Sequence, residues 1–145
     1  MSSAEFLSTV PGFDSLDEPS LQTVFERARV VSYDDGDYLI RRGEPGDSMH
    51  VLAEGVVRIP VFDPTGRIRV VAQLAAGDVV GEMALLTGER RRADVIAEGP
   101  VTSIVLDRQV VMPLVEEHPP LARFITEILG QRLEQAGGIE QVGKY

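Results

Sequence analysis

The chain has no cysteine and, among its 145 residues, only two histidines, His50 and His118. The missing thiols exclude disulfides, thiolate zinc sites and cysteine nucleophiles together. Two histidines are too few for a histidine-rich metal centre. Long apolar runs are absent as well. The most apolar stretch is interrupted by Gln73, Asp78 and Glu82, well short of the ~18 residues that a membrane-spanning helix needs. The opening Met1-Ser2-Ser3-Ala4-Glu5 lacks a charged segment followed by an apolar one, so no secretory signal is read. Positive charge is scarce: 14 Lys and Arg stand against 23 Asp and Glu, a formal net charge of −9. Such a field repels phosphate backbones and anionic lipid. The expectation is a cytoplasmic protein with neither nucleic acid nor membrane as a partner.

What is present is ordinary for a globular protein, 43% hydrophobic and 26% charged residues, in a length suited to one domain. A chain of this size buries roughly 70% of its unfolded surface, enough for a normal apolar core. The hydrophobic period changes twice along it. Residues 4–28 read as helical, with Leu16, Leu21, Val24, Phe25 and Ala28 at helical spacings. Asp17 or Ser15 is the expected cap of the second helix, and Pro19 fits its first turn. Residues 30–106 read as strands: Val30-Val31, Tyr38-Leu39-Ile40, Val51-Leu52, Val56-Val57-Arg58-Ile59, Ile68-Arg69-Val70-Val71, Val95-Ile96 and Ile104-Val105-Leu106. Turn signals lie between them, including Asp34-Asp35-Gly36-Asp37, Glu54-Gly55, Asp63-Pro64-Thr65-Gly66 and Gly99-Pro100. Short strands with Gly, Asp and Pro corners indicate an antiparallel roll. From residue 107 to 136 the helical period returns, with Asp107 as N-cap and a stripe of Leu121, Phe124, Ile125, Ile128, Leu129 and Leu133. A break is expected at Pro113, which removes a backbone donor, or a restart with Pro113 in the first turn. The fold class is therefore mainly β with flanking α: a jelly-roll-like antiparallel β-roll with helices at either end.

The stretch that carries chemistry is Gly81-Glu82-Met83-Ala84-Leu85-Leu86-Thr87-Gly88-Glu89-Arg90-Arg91-Arg92-Ala93-Asp94-Val95. Glu82 to Leu86 are good helix formers, enough for one turn held by tertiary contacts. Three consecutive arginines then run against the background charge. The start of a helix offers unpaired N–H groups and partial positive charge. A guanidinium folded back over it completes a two-sided clamp on a phosphate. Gly81 permits close backbone approach, and Glu82 can accept hydrogen bonds from sugar hydroxyls. The competing reading is a solvated arginine loop partnered by Glu89 and Asp94.

This segment resembles the phosphate-binding cassette of the cyclic nucleotide-binding domain family, found in catabolite activator proteins, kinase regulatory subunits and nucleotide-gated channels. Gly81, Glu82, Ala84, Leu85, Arg91, Ala93 and Val95 stand in register with the cassette pattern. The turn from Gly36 to Asp47, the Leu74-Ala75-Ala76-Gly77-Asp78 lead-in, Leu106-Asp107-Arg108 and Glu117-His118-Pro119 are similar to other family segments. The resemblance spans about residues 6–135, nearly the whole chain. It implies a ligand-binding set of Gly81, Glu82, Met83, Ala84, Arg91, Arg92 and Ala93. Within it Glu82 would bond the ribose 2′-hydroxyl, Arg91 would pair with the phosphate, and the amides of Ala84 and Ala93 would face the same group. Leu85 would pack against the hinge helix near Leu114 or Val115, and the last helix would close over the base. Three positions depart from the pattern: Arg90 replaces a frequent Pro, Val80 a frequent aromatic, and Arg92 a small residue beside the phosphate. A hydroxyl at that last position goes with cGMP preference, so its absence favours cAMP.

No nucleophile, base and orienting group are seen together, so neither catalysis, cofactor nor metal is expected. A cupin-type metalloenzyme would share the roll, but needs clustered His and carboxylate ligands. The function expected is a regulatory sensor that binds cAMP, or cGMP, and transmits occupancy to an effector domain or protein. The alternative is a nucleotide-free docking or dimerisation module. A homodimer is compatible with either. Residues 1–136 form the expected domain, and 137–145 a linker or tail. No helix-turn-helix follows the last helix, whereas Gly143-Lys144-Tyr145 resembles the lead-in to the glycine-rich loop of bacterial serine/threonine kinases.

Overall fold

The computed structural model describes residues 3–10, 12–124 and 127, with the backbone alone for Ser3, Ala4, Arg69, Val70 and Met83. Helix α1 (Ser3–Thr9) leads through a 3-10 turn (Phe13–Ser15) into α2 (Glu18–Arg27). The Asp17 carboxylate accepts from the Ser20 amide at 2.8 Å and so caps α2, as expected. Hydrogen bonding from the Ser20 side chain, together with that amide bond, holds the Asp17 pKa below its usual value.

Six strands follow: β1 (Arg29–Tyr33), β2 (Tyr38–Ile40), β3 (Ser48–Phe62), β4 (Ile68–Ala75), β5 (Val79–Val80) and β6 (Val95–Asp107). They pair antiparallel in the order β1-β6-β3-β4, with β2 against β6 and β5 against β3. Two expected turns are not turns. Glu54-Gly55 lies inside β3 and Gly99-Pro100 inside β6, where the partner of β3 jumps from Thr102 at Glu54 to Glu98 at Val56. The two long strands bend together at this irregularity, and Gly55 (φ +91°) and Gly99 (φ +76°) supply the left-handed backbone that the bend needs.

The bend also changes which residues face which core. Before it, Met49 and Val51 join the helices' cluster with Leu7, Phe13, Val24, Ile104, Leu106 and Leu114. Leu52 before it, and Val57, Ile59 and Val61 after it, face a second cluster inside the roll with Ile40, Val80, Val95 and Val101. A shift of one residue in a period of two exchanges the faces. Both sides of the first half of β3 are therefore covered, one by helices and one by the roll.

Helix α3 (Glu82–Thr87) sits between β5 and β6. Helix α4 (Arg108–Glu117) runs through Pro113 without the expected break. Pro113 is exposed, and the acceptor that it leaves unmatched, four residues earlier, is near the start of the helix. Asp107 occupies the N-cap position but makes no side-chain cap bond; its carboxylate pairs instead with Arg29 at 3.0 Å. Residues 119–124 are helical and turn back toward the N-terminal layer, with Leu121 fully buried in the helices' cluster. A Cβ on Gly12 would lie 2.6 Å from that of Phe124. The expected lid and the 137–145 tail fall outside the described residues. No described helix is long and apolar enough to cross a membrane.

Candidate functional site

The cassette begins at Gly81, whose left-handed backbone (φ +85°) turns β5 into α3. A side chain is excluded there: a Cβ would stand 2.5 Å from Arg91 Nη1 and 3.0 Å from Ile40 Cδ1. Glu82 opens the helix and is fully buried, and Ala84 and Leu85 are buried behind it. Another left-handed glycine, Gly88 (φ +73°), ends the helix, its amide bonded to the Ala84 carbonyl at 2.8 Å. Met83 is the second residue of α3.

Arg91 does not extend into solvent; it is only 7% exposed. Its guanidinium donates to the Gly81 carbonyl (2.9 Å), the Ser48 carbonyl (2.8 Å) and the Ser48 hydroxyl (3.1 Å). Burial lowers its pKa, while the carboxylates of Asp47, Glu82 and Glu44 push the other way. An arginine remains protonated under such a shift. The arm is fastened along its length to the 41–47 turn. The Gly43 amide donates to Arg91 O and the Arg91 amide to Glu44 O, each at 2.8 Å. The Arg90 guanidinium donates to Gly43 O and the Arg42 amide to the Asp94 carboxylate, again at 2.8 Å. Gly46 lets the turn press onto α3, since a Cβ there would overlap that of Ala84.

Seven residues, Ile40, Gly81, Ala84, Arg91, Arg92, Ala93 and Val95, enclose a hollow of about 10 Å³. A cavity of about 500 Å³, lined by Arg42, Val61, Phe62, Asp63 and Asp94 among others, shares Arg92 and Ala93 with it. The small hollow has room for about one water, and the larger cavity is of ligand size. Of the expected binding residues, Gly81, Ala84, Arg91, Arg92 and Ala93 line this hollow, while Glu82 and Met83 are not in its lining. Leu85 lies in one cluster with Val110, Val111 and Leu114 of α4, and the Arg108 guanidinium donates to Leu85 O at 2.5 Å.

Its place in an alternating strand, between Met49 and Val51, makes His50 read from the sequence as a surface or sheet-edge residue, and the structure corrects this. His50 is buried, its Nδ1 is 3.1 Å from Ser103 Oγ, and burial together with the nearby Arg91 and Arg29 lowers its pKa to about 3. Alternation along β3 has no solvent side at this point, because both faces are covered. Ser48, the anchor of Arg91, carried no signal in the sequence.

The profile of the cyclic nucleotide-binding domain matches residues 30–118. The chain belongs to that family. Its members form regulatory domains, and kinases are among the relatives. A Drosophila melanogaster cGMP-dependent protein kinase, isozyme 2 forms cD5/T2, is 31% identical over 115 residues, covering 77% of this chain and 12% of the kinase. The chain thus spans about an eighth of the length of that curated relative. The catabolite activator protein of Thermus thermophilus matches with a TM-score of 0.74 and 26% identity, over 88% of this chain and 60% of that one. The regulatory domain of a Toxoplasma gondii protein kinase A, solved with cAMP, matches with a TM-score of 0.71 and 28% identity, over 91% of this chain and 48% of that one. These likenesses show the β-roll fold.

Proposed function

We propose that this domain binds a cyclic nucleotide, cAMP in preference to cGMP, between α3 and the arginine arm, and passes its occupancy to an effector. The observation that carries this reading is the inward, buried Arg91 beside a fully buried Glu82 at the start of α3. A guanidinium and a carboxylate so placed suit the two polar ends of one ligand, a cyclic phosphate and a ribose 2′-hydroxyl. The binding set is Gly81, Glu82, Met83, Ala84, Arg91, Arg92 and Ala93, with the purine in the adjoining 500 Å³ cavity. The amides of Ala84 and Ala93 would add donors to the phosphate. The preference for cAMP follows from Arg92, which removes the hydroxyl associated with cGMP; the cGMP-dependent kinase relatives favour the opposite base.

Phosphate entry parts α3 from the arm, and Leu85 carries that movement to α4 through their shared cluster. Ligand then shifts the population toward whichever α4 arrangement binds it better. Residues 1–136 act as the sensor and 137–145 as the connection to the effector, a serine/threonine kinase by the likeness of Gly143-Lys144-Tyr145 and of the kinase relatives. The domain's task is binding rather than catalysis.

The test is thermal unfolding with added nucleotide. At one hundred times its dissociation constant a ligand stabilises by about 2.7 kcal/mol. The midpoint should rise by several degrees with cAMP and at higher concentrations with cGMP. An unmoved midpoint with both would favour the nucleotide-free docking module.

A further inference from the structure

Arg92 is the residue by which this chain departs most from the cassette pattern, and the structure places it where the departure has a consequence. It borders both the small hollow beside Arg91 and the 500 Å³ cavity. Its guanidinium is paired with the Glu89 carboxylate three residues earlier. Both side chains are substantially exposed, 38% for Arg92 and 52% for Glu89. Exposed pairs of this kind are weak.

Carboxylates as well as arginines act on the neighbourhood of the hollow. Arg91 is faced by three carboxylates, those of Asp47, Glu82 and Glu44. Three bonds of its guanidinium are already directed at Gly81 and Ser48. Those carboxylates, in a chain whose net charge is −9, oppose an entering anion, and a second guanidinium offsets them. Arg90 cannot correct this, because its guanidinium is turned to the Gly43 carbonyl. On the cavity side, Arg42 stands in the lining together with Asp63 and Asp94. Arg92 is the cation whose carboxylate partner an entering anion can displace.

We propose that Arg92 is a second phosphate-binding guanidinium, held in reserve by Glu89, and that nucleotide entry exchanges the Glu89 carboxylate for the cyclic phosphate. This rests on the proposed nucleotide site. Glu89 is then a built-in competitor that sets the affinity, and its release frees the 88–90 corner between α3 and the arm.

Calorimetric titration of cAMP into the whole chain and four variants tests this. Arg92→Ala should weaken binding about tenfold, the size of one charge-assisted hydrogen bond. Glu89→Gln should tighten it several-fold, because the competing charge is removed. Glu89→Gln combined with Arg92→Ala should match Arg92→Ala alone, since Glu89 acts only through Arg92. Unchanged or tighter binding by Arg92→Ala would overturn the proposal, the tighter result marking Arg92 as a plug. Additive effects in the double variant would overturn the competitor role. Loss of binding in Arg91→Ala with no effect of Arg92→Ala would sink this inference and leave the site standing. Absence of binding by the unaltered chain, or full binding by Arg91→Ala, would sink both.

Discussion

At the scale of single residues, the interior of the roll is polar beside the proposed nucleotide site. Ser48 and His50 share the inward phase of β3 with Leu52, and Arg91 enters from the opposite arm to meet Ser48. His50 next to a guanidinium must stay neutral, which makes it an acid-sensitive point. Its folded pKa of about 3 lies below the ordinary 6.5, so between those values the unfolded chain binds the extra proton. Stability contributed by neutral His50 is complete above about pH 6.5 and is lost as pH falls toward 3, with a slope of about 1.4 kcal/mol per pH unit. Denaturant unfolding at pH 7, 5.5 and 4.5 should show this decline, and His50→Gln should flatten it. An equal decline in the variant would assign the acid sensitivity elsewhere. Glu82 makes a different prediction. Glu82→Gln should weaken cAMP about tenfold or more, the worth of a hydrogen bond to a charged group. 2′-Deoxy-cAMP should bind the unaltered chain as weakly, with little further loss in the variant. Full additivity of the two changes would mean that Glu82 does not meet the ribose.

Elements show which parts of this architecture can be read from residues. The α3 cassette was legible because its constraints are local: a left-handed Gly81, a run of helix formers, a left-handed Gly88 and an arginine at fixed distance. The Asp17 cap was legible for the same reason. The bend of β3 and β6 was not, because Glu54-Gly55 and Gly99-Pro100 have turn chemistry, and only the pairing of two distant strands makes them an irregularity in a continuous ladder. His50 was misread through the same blindness to what covers a strand. Pro113 misled because a proline's cost depends on which carbonyl it strands and whether water reaches it. In the coupling between α3 and α4, Leu85 is the contact to alter. Leu85→Ala should cost about 2–5 kcal/mol of stability, as for other fully buried leucines. It should also reduce the change in α4 amide exchange that cAMP produces, while leaving measurable nucleotide binding. An undiminished exchange response would place the coupling on another route, with the Arg108 guanidinium on the Leu85 carbonyl the next one to cut.

For the whole molecule, a chain of net charge −9 concentrates three arginines in one arm and directs each to a different task. Arg90 fastens the arm to the 41–47 turn, Arg91 enters the roll, and Arg92 stands at the mouth. The two cores keep these tasks mechanically distinct, since the roll's cluster holds the ligand side and the helices' cluster holds α4. The account stands on Arg91 as the phosphate's partner. The most direct measurement is calorimetric titration of cAMP into the unaltered chain and into Arg91→Lys and Arg91→Ala, each shown by circular dichroism to be folded. Saturable one-to-one binding should be seen in the first, a loss of at least about tenfold in the second, where a point charge replaces the fork, and no measurable heat in the third. Equal affinity in all three folded proteins would contradict it.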